Sequence, residues 1–250
     1  MQLAIDMGNT RTKMALYEGG EAIRNWQFPS EVFSEGLSKA MQEIAPDRQL
    51  AVGWLSTAAR DNLTQEAVWS HFDDPPRFFP IRSTDALPIG NAYRTPATLG
   101  TDRIVAVIAA CSYFPTHPVL VIDAGTAITY DFADAQGVYQ GGGISPGIWM
   151  RFKALNTFTA RLPLIEPDGK PPLVGDSTAA SIRSGVMLGA LAEVEGIIQR
   201  YRDRYGSTLK VIVTGGDREH FENQLKNVNF ASSNLVLEGI YLCIQHLTSL

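Results

Sequence analysis

Two short stretches carry the residue types that phosphate chemistry needs, Asp6-Met7-Gly8-Asn9-Thr10 near the start and Asp123-Ala124-Gly125-Thr126 near the middle. In each, an aspartate closes an apolar run and a glycine follows two residues later. A glycine turn gives backbone N–H groups close access to phosphate oxygens and tolerates positive φ, while asparagine and threonine side chains add donors. An aspartate at the end of the preceding strand is a hard anionic ligand that can meet phosphate-bound magnesium through water. Asp6 and Asp123 both stand in that place. Lys13 can reach a phosphate as a point charge, or can sit as a solvated strand residue. One such turn alone is an ordinary hairpin entry; two at equivalent points suggest a duplicated phosphate grip.

A third glycine cluster, Thr214-Gly215-Gly216-Asp217, follows the apolar strand Lys210 to Val213. Its glycines would let a nucleotide base or ribose lie against the backbone, or would simply turn a strand into a helix with Asp217 as cap. Between the two Asp-x-Gly turns, the run from Asn91 to Arg103 gathers polar residues at the start of the apolar helix Ile104 to Tyr113. A helix start favours anions, so Asp102 could accept a hydroxyl proton while Arg103 forks onto a substrate carboxylate. By spacing alone the stronger reading of the same residues is Thr101 capping the helix, Asp102 matching its dipole and Arg103 facing solvent. His71, His117, His220 and His246 lie far apart, without metal-ligand spacing, and no Gly-x-Ser-x-Gly or Walker loop appears.

The elements that must position these residues follow from hydrophobic periodicity. Gln2 to Ile5, Thr12 to Tyr17 and Ala22 to Phe28 read as three strands around the first glycine turn, followed by a helix through Val32, Leu37 and Ile44 and a buried strand from Leu50 to Leu55. The pattern then restarts: Val119 to Ile122 and Ala127 to Phe132 are strands, Gly147 to Phe158 and Ser177 to Tyr201 helical, Lys210 to Val213 a strand and Asn234 to Leu247 a closing helix. A repeat of half a chain is too long for a solenoid and predicts a duplicated α/β domain, residues 1–115 and 116–250, with a ligand cleft between the copies.

The 250 residues are 45% hydrophobic and 19% charged, enough to bury a sizeable core, and the net charge of −5 leaves no basic footprint for nucleic acid or an anionic membrane surface. Cys111 and Cys243 each sit in apolar sequence, which predicts buried free thiols and a reducing compartment. Without a signal-like start or a membrane-length apolar run, the cytoplasm is the expected location.

The motifs Asp6 to Lys13, Gly100-Thr101-Asp102-Arg103, Asp123 to Ala127 and Thr214 to Asp217, together with Gly141-Gly142-Gly143-Ile144-Ser145-Pro146-Gly147 and Leu237-Glu238-Gly239, resemble type III pantothenate kinase in the family's order across nearly the whole chain. The glycine turns are shared with the wider superfamily of acetate and sugar kinases, heat-shock chaperones and actin; the Tyr93 to Arg103 segment narrows the choice. The resemblance implies duplicated actin-like (ribonuclease H-like) domains, each a mixed sheet flanked by helices. It implies a homodimer, and ATP-dependent transfer of phosphate to the terminal hydroxyl of pantothenate at the start of coenzyme A synthesis.

It also implies Mg2+ and a monovalent cation, K+ or NH4+. Carried over by position, Asp6, Met7, Gly8, Asn9, Thr10, Arg11, Thr12, Lys13 and Thr126 would hold ATP, with Asp6 a partner of magnesium through water. Asp123 would bind the monovalent cation and Asp102 would accept the proton. Tyr93, Gly100, Thr101 and Arg103 would line the pantothenate site, and Thr178 would reach it from the neighbouring subunit. Ser56-Thr57-Ala58-Ala59-Arg60 departs from the family's serine pair with valines and proline. Two alternatives remain open at this point: a non-catalytic ATP-binding regulator, and another small-molecule kinase or phosphatase of the same superfamily.

Overall fold

The computed structural model describes residues 1–44, 50–56, 66, 68–71, 76–222, 224–225 and 228–249. The chain forms two compact units, Met1–Ser112 with Asn234–Leu250, and Tyr113–Ser233.

In the first unit, β1 (Gln2–Met7), β2 (Arg11–Glu18) and β3 (Glu21–Pro29) form an antiparallel meander. Next come α1 (Phe33–Gln42), β4 (Ala51–Ser56) and β5 (Arg77–Pro80), with β4 parallel to β1 and β5 parallel to β4. The sheet order is β3-β2-β1-β4-β5. β1 is central, so Leu3, Ala4 and Ile5 are all fully buried and the strand shows no alternation. β3 is an edge, and its exposed Glu21 and Arg24 keep it soluble. α1 places Phe33, Leu37, Ala40 and Met41 on one stripe against this sheet. The two-residue strand β6 (Gly90–Asn91) and a 3-10 turn at Pro96–Thr98 lead into α2 (Thr101–Tyr113).

The second unit repeats the plan. β7 (Val119–Ala124), β8 (Ala127–Ala133) and β9 (Val138–Pro146) form a second antiparallel meander, and β10 (Lys210–Thr214) and β11 (Phe230–Ala231) add parallel strands beyond β7. The five strands of this unit, in the order β9-β8-β7-β10-β11, repeat the order of the first unit's five. α3 (Ile148–Thr157) and the 28-residue α4 (Thr178–Tyr205) lie between β9 and β10, and the short α5 (Glu219–Glu222) follows β10. Ile182, Val186, Ala190, Val194 and Ile198, spaced four residues apart, make a stripe along α4 that closes the core over β7 and β8.

The closing helix α6 (Leu235–Ser249) departs from the division expected at residue 115. It packs on β1, β2 and β4 of the first unit, where Tyr241 stacks on Tyr17 with ring centroids 4.3 Å apart. Sequence order assigned it to the second half. Its apolar faces, carrying Leu235, Leu237, Ile240 and Ile244, are buried, and burying each such side chain contributes roughly 1.5–3 kcal/mol.

Candidate phosphate and substrate sites

The first turn joins the most buried strand of its sheet to the next. Register pairs Asp6 with Lys13 and Met7 with Thr12, and the N–H of Gly8 donates to the carbonyl of Arg11 at 3.1 Å. Asn9, Thr10 and Arg11 stand exposed at the tip, while Met7 and Thr12 are buried beneath it. The Thr12 hydroxyl is therefore spent inside the protein. It lies 3.0 Å from Ser30 Oγ, which in turn donates to the Gly8 carbonyl at 2.8 Å. The Ser30 N–H donates to the carbonyl of Thr10 at 3.0 Å. Ser30 thus holds the turn from behind. No motif marked it, because it acts from 22 residues away.

The second turn has the same plan one residue tighter, with the Gly125 N–H donating to the carbonyl of Ala127 at 3.0 Å and Thr126 exposed. Neither Gly8 nor Gly125 adopts positive φ, contrary to the conformational role expected of them. Gly215 does, at +98°. β10 runs parallel to β7 with Thr214 beside Asp123, and the Asp217 N–H donates to the carbonyl of Ala124 at 2.8 Å. A Cβ on Gly215 would fall on the Ala124 carbonyl and Asp123 Oδ1. The third glycine cluster is therefore a wall of the second turn, and the space it leaves is bordered by a carboxylate and a carbonyl. Those are hard oxygen donors of the kind that suit K+ or Mg2+. Among the described residues no group of three or more His, Cys, Asp or Glu side chains is placed to hold a metal. Burial raises the Asp217 carboxyl above its ordinary range, against the lowering pull of His220.

The predicted substrate segment falls at the start of α2. Asp102 Oδ1 accepts the backbone N–H of Arg103 at 2.9 Å, and Arg103 is buried. That corrects the solvent-facing reading of Arg103: a buried guanidinium costs several kcal/mol unless anions face it. Gly100 precedes them, its carbonyl accepting from the Arg103 N–H at 3.2 Å. Tyr93 lies in the loop before the 3-10 turn, its N–H donating to Asn91 Oδ1 at 3.0 Å. In the second unit Thr178 is the first residue of α4, exposed beside Ser177, whose side chain caps the helix by accepting from the Ala180 N–H. Of the divergent stretch Ser56 to Arg60, residues 57–60 lie outside the described residues.

The family model of type III pantothenate kinases matches residues 2–200. The chain belongs to the type III pantothenate kinase family. It is 37% identical over 248 residues to the type III pantothenate kinase of Flavobacterium johnsoniae, covering 98% of each chain. Identity to the enzyme of Bacteroides fragilis is 40% over 241 residues, with 96% of each covered. Solved structures share the fold at lower identity. A Campylobacter jejuni protein described as a Baf family transcriptional activator superposes with a TM-score of 0.61 at 19% identity, covering 99% of this chain and 100% of that one. The ROK hexokinase of Thermus thermophilus superposes at 0.52 and 11%, covering 98% and 99%. The duplicated actin-like fold implied by the sequence is thus that of a pantothenate kinase.

One polar cluster of this kinase has no counterpart among the expected site residues. Glu193 on α4 accepts from Tyr130, Ser145 and Arg151. Burial pushes the Glu193 carboxyl up, but the hydrogen bonds from Ser145, Arg151 and Tyr130 outweigh it and hold the group below its ordinary value. Burial first, and Glu193 second, push the Tyr130 hydroxyl well up, so it stays a donor. Neither Cys111 nor Cys243 is in a disulfide; Cys243 is buried as expected, and burial pushes its thiol up to about 12, whereas Cys111 is only half-buried. No described helix is long and apolar enough to cross a membrane.

Proposed function

We propose that this chain phosphorylates pantothenate with ATP, giving 4'-phosphopantothenate at the first step of coenzyme A biosynthesis. The observation that carries this reading is identity of 37% and 40%, over nearly the full length, to curated type III pantothenate kinases. It is joined by Asp102 and Arg103 side by side at a helix start, where an acceptor site needs a carboxylate and a cation.

In this reading Arg103 takes the carboxylate of pantothenate and Tyr93, Gly100 and Thr101 line the remainder. Asp102 receives or orients the proton of the attacking hydroxyl. Asp6, Met7, Gly8, Asn9, Thr10, Arg11, Thr12 and Lys13 serve ATP with Thr126, the exposed Asn9, Thr10 and Arg11 from the tip of the turn, whereas Met7 and Thr12 support it from beneath. The residues fit the ions the family implies: Asp123, with the Ala124 carbonyl beside it, would hold K+ or NH4+, and Asp6 would meet Mg2+ through water. Bound there, such ions neutralise phosphate charge that develops during transfer. The protein's own share is alignment and preorganised donors. We assign the working form as a cytoplasmic homodimer, supported by the two cysteines outside any disulfide and by Leu173 and Val174, which stand 84% and 80% exposed near Thr178.

The test measures ATP consumption with pantothenate, sugars or acetate as acceptor, with and without K+ or NH4+. Turnover that depends on pantothenate is expected; its absence under every ion condition overturns the reading. Asp102→Asn should lower kcat by at least about a hundredfold, the usual worth of a general base, while leaving pantothenate binding nearly intact. Near-normal turnover in the folded variant would remove Asp102 from the mechanism.

A further inference from the structure

Within the second unit, four side chains converge behind the Gly125–Thr126 turn. Glu193 Oε1 accepts from the Tyr130 hydroxyl at 2.8 Å and from Ser145 Oγ at 2.5 Å, and Oε2 accepts from Arg151 Nη2 at 2.6 Å. Arg151 folds back over the start of α3 and spends its Nε–H on the carbonyl of Pro146 at 2.9 Å. The cluster therefore ties β8, the end of β9 and the first turn of α3 to the long helix α4.

Between its members runs Pro146–Gly147. The Gly147 N–H donates to the carbonyl of Thr126 at 3.2 Å, and a Cβ on Gly147 would overlap the carbonyls of both Gly125 and Thr126. The carbonyl side of the second turn thus rests on a segment that Glu193 braces from three directions. A partly buried ion pair of this kind adds little net stability over an apolar contact, since desolvation offsets most of the attraction, whereas a fully satisfied network selects one geometry. The side chains of Arg151 and Glu193 are 21% and 30% exposed, so the pair is packed without being sealed from water.

We propose that Glu193 is a positioning residue for nucleotide binding: through Ser145, Arg151 and Pro146–Gly147 it holds the Gly125–Thr126 turn in the conformation that receives ATP phosphates. The proposal rests on the reading that Thr126 contacts ATP. It also gives the Gly141 to Gly147 motif a task, because the end of that motif is the segment pressed against the turn.

The test is Glu193→Gln in the full chain. The amide is neutral and has only one acceptor oxygen for three donors, so Arg151 or the two hydroxyls must let go. Affinity for a fluorescent ATP analogue should fall about tenfold, the scale of one charge-assisted hydrogen bond, and KM for ATP should rise in step. The kcat value and KM for pantothenate should stay within about twofold, as expected for an interaction equal in ground and transition states. Arg151→Lys, which keeps the charge but loses the Nε–H bond to Pro146, should show part of the same loss. Unchanged analogue affinity in folded Glu193→Gln overturns the proposal, and so does a parallel loss in kcat and both KM values, the mark of general loosening. If Glu193→Gln does not fold, Ser145→Ala applies the same criteria with an expected loss of about threefold. Wild-type protein that binds the analogue without phosphorylating pantothenate refutes the functional reading, and the affinity comparison still decides the role of Glu193. Wild-type protein that binds no analogue refutes both.

Discussion

Removing the Ser30 hydroxyl should damage the first turn more than removing the Thr12 hydroxyl to which it is bonded. The relay has a direction: Ser30 has one proton and gives it to the Gly8 carbonyl at 2.8 Å, so Thr12 Oγ1 must be the donor across the 3.0 Å contact. Ser30→Ala leaves the Gly8 carbonyl without that donor and leaves the fully buried Thr12 hydroxyl without its acceptor. Each loss costs about 1–1.5 kcal/mol, giving about 2–3 kcal/mol together. Thr12→Val removes only the donor to Ser30, whose own bond to Gly8 survives, and should cost about 1 kcal/mol. In Thr12→Val/Ser30→Ala the orphaned hydroxyl no longer exists, so the double variant should cost about 1 kcal/mol less than the two singles added together. Urea unfolding followed by tryptophan fluorescence suits the measurement, because Trp26, Trp54 and Trp69 lie in the first unit and only Trp149 in the second. Equal losses in the two singles, or strict additivity in the double, would refute the relay. Ser30→Ala should also raise KM for ATP if the tip of the turn touches phosphate.

Two glycines of the second turn should respond in opposite ways. Gly215→Ala meets a positive φ and an occupied space, so it should destabilise by at least about 1–2 kcal/mol and weaken stimulation by K+, read from urea melts and from thermal shift against added K+. Gly125→Ala should leave the urea midpoint unchanged, since its Cβ would meet Asp123 Oδ1 at 3.8 Å and the Ala127 carbonyl at 3.9 Å, ordinary contact distances, yet lower ATP-analogue affinity. A stable Gly215→Ala with normal K+ response, or an unstable Gly125→Ala, would contradict this division. Leu173→Asp should convert a dimer to monomer by light scattering at micromolar concentration; a dimer that persists places the interface elsewhere.

Much of the fold was legible because its signals are local. The alternation through Thr12 to Tyr17, the apolar runs of β1 and β7 and the restart of the pattern at Val119 all depend on residues a few positions apart. The five-strand order that the two units share is what that restart implied. The destination of α6 was not legible. Amphipathicity shows that Leu235 to Ile244 must be covered, and says nothing of which sheet covers them; the stacking of Tyr241 on Tyr17 joins residues from opposite ends of the chain. Ser30 and Glu193 escaped for the same reason, since an isolated serine after a strand and a glutamate inside a long helix have ordinary solvated readings until tertiary contacts bring them to a turn.

The glycines show how a correct site can be reached through an incomplete reason. The sequence pattern suggests positive φ at Gly8 and Gly125, and their backbones are ordinary. Gly215, which the sequence alone assigns as readily to a plain strand-to-helix turn, is the one with left-handed backbone and a neighbour where its Cβ would be. The two kinds of requirement have different causes. At Gly215 the fold itself excludes a side chain, through β10 lying parallel to β7 and the Asp217 N–H reaching the Ala124 carbonyl. At Gly125 the fold has room for a methyl group, so a glycine there answers to something that approaches from outside the turn. A phosphate oxygen seeking the backbone N–H groups is such a visitor. Stability measurements will therefore find Gly215, and only a nucleotide will find Gly125.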